Sequence, residues 1–137
     1  MKNEKQKSMK INGKSFYVDE TIYDLVLLLN KHYKPTIASC SGHGNQPASI
    51  VFDDETELRI MTYEQARIVD KFFPNIKDYN KASKREEECC YIDNKYIIYP
   101  DGTFYNCGEA DEDIPQWVFN FKQFCLKHYK TMKRSED

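Results

Sequence analysis

The sequence predicts an α+β domain, with about three helices set among short antiparallel strands and a C-terminal β-meander followed by a long helix. Three observations carry this expectation. Asn12-Gly13 sits between two short extended runs and is a strong two-residue hairpin signal. Ile22, Leu25, Val26, Leu29 and Tyr33 recur at helical spacing. Residues 89–92, 96–99 and 103–106 are strand-like runs joined by Asp93-Asn94 and by Pro100-Asp101-Gly102, which hold turn residues where a meander needs them.

In chain order, residues 1–8 are polar and lysine-rich and are expected to be a disordered tail. A single domain is expected over 9–132, with a second tail over 133–137. After the hairpin, Thr21 is placed to cap the first helix, with Asp19 and Glu20 near its positive end. Leu27 and Leu28 widen its apolar stripe, and Pro35 ends it. Residues 36–39, 48–53 and 57–61 read as strands. Thr62 and Gln65 fit a capping box opening a helix that turns Ala66, Val69, Phe72 and Phe73 inward and stops at Pro74. Residues 75–88 read as a solvated loop or short helix. Asp113 is placed to cap the last helix, with Pro115 in its first turn. Ile114, Trp117, Val118, Phe121, Phe124, Cys125 and Tyr129 form its apolar face.

Composition narrows the function classes. A net charge of −2 over 137 residues gives no global basic field, so extensive nucleic-acid contact is not expected. No apolar run reaches membrane-spanning length, and the basic N-terminus lacks a signal-peptide core. The expected location is the cytoplasm of a bacterial or host cell. There, five cysteines, an odd number, read as free thiols, metal ligands or a nucleophile before a disulfide frame.

The chemistry concentrates in one stretch. Thr36, Ser39, Cys40, Ser41, Gly42, His43, Gly44 and Asn45 bring hydroxyls, a thiol, an imidazole and two glycines together between apolar segments. Glycines allow close backbone approach, consecutive amides can form an anion-binding nest, and the imidazole adds a donor. These eight residues are therefore the candidate ligand-binding set. A second reading makes Cys40 and His43 catalytic, as a thiol nucleophile and its base. A third is zinc held by Cys40 and His43, completed by Cys89, Cys90 or Cys107. Adjacent Cys89 and Cys90 point to opposite faces of a strand, so at most one joins such a site. The acids Glu109, Asp111, Glu112 and Asp113 do not have calcium-loop spacing and read as the dressing of a helix start. His32 and His128 fall late on helices.

The run Ser39-Cys40-Ser41-Gly42, between a helix and a strand, resembles the Ser-Cys-Ser-Gly motif of the wybutosine-synthesising family. Those proteins are methyltransferase-type enzymes that act on a tRNA base with S-adenosylmethionine. His43 stands where that family usually has an arginine. The resemblance implies that Ser39, Cys40 and Ser41 line a nucleotide-like site, and it does not carry methyl transfer over. The leading expectation is a homo-oligomer that binds a small anionic nucleotide-like molecule at loop 39–45, sequestering or sensing it, with no cofactor. The runner-up is a nucleotide-directed enzyme using Cys40 and His43. The third is a zinc-stabilised interaction module.

Overall fold

The computed structural model of the protein describes residues 5–109 and 113–133. Its architecture is α+β, and the chain divides into two compact units, Met1–Arg59 and Ile60–Asp137.

The first unit opens with β1 (Gln6–Ile11) and β2 (Lys14–Asp19), paired antiparallel with Gln6 opposite Asp19. Asn12 and Gly13 both take positive φ, 51° and 79°, as the tight hairpin turn requires. β1 begins inside the stretch expected to be a disordered tail. The far end of β2 gives residues 6–8 a ladder to pair with, and the Gln6 side chain bonds Asp19. Residues 1–4 and 134–137 lie outside the described residues.

A 3-10 turn (Glu20–Ile22) leads into α1 (Tyr23–His32). Thr21 is not the cap. The chain enters the helix through the tighter turn, and Ile22 occupies the N-cap position without a side-chain bond. Ile22, Leu25, Val26 and Leu29 are buried, as their spacing predicts. Asn30 then ties the helix to the next strand. Its amide donates to the Val26 carbonyl at 2.8 Å and the Thr36 hydroxyl at 3.0 Å, and its oxygen accepts from the Thr36 amide at 3.0 Å. β3 (Thr36–Cys40) pairs antiparallel with β4 (Ala48–Phe52), with a register shift between Thr36 and Ala38. Ala48, Ile50 and Phe52 alternate into the core.

β5 (Glu57–Thr62) carries the division between the units. In the second unit the Thr62 capping box forms as expected: Thr62 N–H donates to Gln65 Oε1 at 2.9 Å, and Gln65 N–H donates to Thr62 Oγ1 at 3.2 Å. α2 (Tyr63–Val69) is shorter than its apolar pattern suggests. Lys71 adopts φ 55° and turns the chain back, so the Phe72 amide reaches the Ala66 carbonyl at 3.0 Å. Phe72 and Ala66 are buried, but Val69 and Phe73, expected inward, stand exposed. Residues 76–82, within the polar stretch, form α3 (Ile76–Ala82), capped by the Asn75 side chain on the Asp78 amide.

The meander is present as β6 (Glu88–Ile92), β7 (Tyr96–Ile98) and β8 (Phe104–Asn106). β6 pairs antiparallel with β7, and β7 with β8, Cys90 lying opposite Ile98 and Ile97 opposite Tyr105. α4 (Gln116–Lys127) and α5 (Tyr129–Lys133) close the chain. Asp113 does not cap α4; Pro115 holds the N-cap position, and its fixed φ of −60° sets the entry. The apolar face of α4 breaks at His128, which leaves Tyr129 exposed. Asp111 and Glu112 lie outside the described residues. The core of the second unit is aromatic: Tyr63, Phe72, Tyr91, Tyr99 and Tyr105 pack with Met61 and Ile97. The described residues thus hold five helices rather than three, and none of them is long and apolar enough to cross a membrane.

Candidate functional site

Three pieces of the first unit meet at one corner: the end of β2, the end of β3 and the loop between β3 and β4. β3 delivers Cys40 opposite Ser49 of β4, and the hydroxyl of Ser49 in turn bonds Glu57 of β5. The chain then reverses through a left-handed stretch. Gly42 has φ 82°, His43 52° and Gly44 81°. Gly42 is sterically required here, because a Cβ at that position would lie 1.9 Å from the Gln46 carbonyl oxygen. The turn is closed by Asn45 N–H and Gln46 N–H, both donating to the Gly42 carbonyl.

Asp19, at the end of β2, is the anchor of the corner. It is 3% exposed and accepts from the Gln6 side-chain amide at 3.1 Å and from the Ser41 backbone amide at 2.9 Å. Burial alone would raise its carboxyl. The Ser41 amide, the Gln6 side chain, the Ser41 hydroxyl and the neighbouring His43 together outweigh burial and hold it below the usual carboxylate range. A buried, ionised carboxylate therefore sits behind the loop.

The imidazole of His43 stands over it. Nε2 lies 3.8 Å from Asp19 Oδ2 and 3.6 Å from Cys40 Sγ. Cys40 and His43 are exposed. Gly42 N–H donates to Cys40 Sγ at 3.4 Å, and His43 N–H donates to Ser41 Oγ at 3.1 Å. Hence the amides of Ser41, Gly42, His43, Asn45 and Gln46 are all bonded within the first unit. The expected anion nest is filled from inside, with Asp19 taking the place of an external anion at Ser41.

Among the candidate ligand-binding residues, Cys40, Ser41, Gly42 and His43 form the corner itself, and Gly44 and Asn45 lie exposed on its rim. Ser39, half-buried, faces away from Cys40 across the strand. Thr36 sits at the opposite end of β3, about 13 Å along the strand from Cys40, where it is occupied by Asn30. Cys89 is buried in the second unit, its thiol donating to the Met61 carbonyl at 3.0 Å and pushed up to about 12 by burial. Cys107 donates to the Asn94 carbonyl at 3.2 Å. Neither belongs to the corner's cluster of potential metal ligands, which is Asp19, Cys40 and His43.

Asp19 is the residue that sequence reasoning missed as part of the site. Its signal is an acid closing a hairpin strand, and that spacing says nothing about a loop more than twenty residues downstream. Compared with protein-family models, curated proteins and solved structures, the chain gives no significant match to any of them.

Proposed function

We propose that the first unit is a small-ligand-binding module whose recognition element is the loop at Cys40, Ser41, His43, Gly44 and Asn45. The fitting ligand class is small, anionic and nucleotide-like, and the role is sequestration or sensing in the cytoplasm. The observation that supports this reading is the division of labour within the loop. The amides of Ser41, Gly42, His43, Asn45 and Gln46 are spent on closing the turn, while His43, Gly44 and Asn45 are exposed residues. Preorganised loops of this kind bind without first ordering themselves. The His43 imidazole, on the exposed rim of the turn, offers a ring N–H donor to a phosphate or carboxylate.

Calorimetric titration of the full chain in EDTA-containing buffer with mono-, di- and cyclic nucleotides tests the reading. One class is expected to bind, and His43→Ala should weaken it by about tenfold or more, the worth of one bond to a charged group. Binding that is absent at millimolar concentration, or unchanged by His43→Ala, would contradict it.

A second reading, nucleotide-directed catalysis by Cys40, is favoured by the 3.6 Å approach of its sulfur to His43 Nε2. The Asp19 carboxylate meets that same nitrogen, whereas an orienting acid in a triad bonds the opposite one. Turnover lost in Cys40→Ser with binding kept would favour catalysis. Homo-oligomerisation fits the exposed apolar surface of Ile68, Val69, Phe73, Ile76 and Tyr79 on and between α2 and α3, and sedimentation of Ile76→Lys against the wild type tests it.

A further inference from the structure

We propose that Asp19, Cys40 and His43 hold a divalent transition-metal ion of the zinc class. This goes beyond the nucleotide reading and stands on the three ligand atoms alone. A carboxylate oxygen, a sulfur and an imidazole nitrogen all lie within 4.8 Å of one another. Around a tetrahedral zinc with ordinary bond lengths, the S···N edge is about 3.5 Å and the N···O edge about 3.3 Å. The corner has 3.6 Å and 3.8 Å. These two edges therefore have to close by no more than roughly half an ångström to coordinate.

The arrangement suits an ion better than a hydrogen-bonded relay. Sulfur and carboxylate both approach Nε2, and the 3.8 Å separation to Asp19 is beyond hydrogen-bond reach. The three atoms are spaced for something between them. The surrounding donors complete the case. Gln6 and the Ser41 amide orient the carboxylate, and the Gly42 amide supports the sulfur in its ligating form. One soft, one borderline and one hard donor select zinc or cobalt over magnesium or calcium.

Three protein ligands leave a fourth position, and two of the three side chains are exposed, so that position faces solvent.

The test uses the full chain stripped with EDTA, then titrated with Zn²⁺ against a chromogenic chelator and with Co²⁺ by absorption. One ion per chain is expected, and Co²⁺ should give a thiolate-to-metal charge-transfer band. Cys40→Ser should lose that band. Cys40→Ser and His43→Ala should each weaken Zn²⁺ binding by about tenfold or more, and Cys107→Ser should change nothing. Asp19 is buried, so the exposed Cys40 and His43 variants are the decisive ones, with circular dichroism confirming their fold. No stoichiometric binding, or binding that survives Cys40→Ser and His43→Ala combined, overturns the proposal. Because nucleotide binding is measured in EDTA, either reading can fail without the other.

Discussion

Cys40 and the three buried cysteines of the second unit are the same side chain in opposite settings. Cys89, Cys90 and Cys125 are buried, on β6 and α4. The hydrogen bond between the Cys90 and Cys125 thiols, together with burial, pushes Cys90 well above the usual thiol range. Cys89 is pushed up by burial. The Cys89 and Cys90 thiols stay protonated, and all three buried side chains act as small apolar groups. Cys40 sits at an exposed strand end, with an imidazole, a backbone amide and an ionised carboxylate around it. The difference teaches that polar convergence, rather than cysteine count, singles out the candidate site. Five cysteines suggest a thiol-rich protein; one of them has partners suited to chemistry.

Thiol labelling attacks that contrast most directly. Native protein should react quickly at Cys40 and Cys107. The three buried thiols should react slower by a factor on the order of 10³ or more, since they are reached only by opening the fold. Five equally fast thiols would erase the distinction. The next effect concerns stability. Phe72→Ala removes a ring packed edge-on against Tyr91 at 5.6 Å and should cost about 3–5 kcal/mol in urea denaturation. Cys40→Ser, on the exposed corner, should stay within about 0.5 kcal/mol.

Inside the corner, the two glycines should separate. Gly42→Ala adds a Cβ against the Gln46 carbonyl at a positive φ and should lose about 1–3 kcal/mol. Gly44→Ala has open space and only the φ penalty, about 1 kcal/mol. Similar losses for both would mean that the turn is not fixed in the form described. The smallest effect comes from surface charge. Lys34 holds Asp54 at 2.7 Å, and its hydrogen bond is the main reason that the carboxyl falls to about 2 from 3.8. A carboxyl depressed on folding adds stability above its unfolded value. That contribution should fade as pH drops from 3.8 to about 2. Asp54→Asn should flatten this window slightly, because the side chain is nearly half exposed.

Local chemistry was readable in the sequence, and distant pairing was not. Asn12-Gly13, Asp93-Asn94 and the Thr62–Gln65 capping box each act over two to four residues, and each formed as expected. The end of α2 was missed because a positive φ at Lys71 carries no residue signature, unlike one at glycine. Thr21 and Asp113 have cap-forming side chains, but a 3-10 turn and a proline set the helix entries instead. The loop at Cys40 and His43 stands out by composition. Its third member, Asp19, reads in the sequence as an acid near a helix start, because only the fold brings the end of β2 to the Ser41 amide.

The central claim is that the corner around His43 is where this protein meets its ligand. Amide chemical-shift mapping of the full chain during a nucleotide titration tests it most directly. The account predicts saturable shifts centred on Cys40, Ser41, His43, Gly44, Asn45 and Asp19, lost in His43→Ala. Shifts centred elsewhere in the chain, or none at millimolar concentration for any nucleotide class, would contradict it.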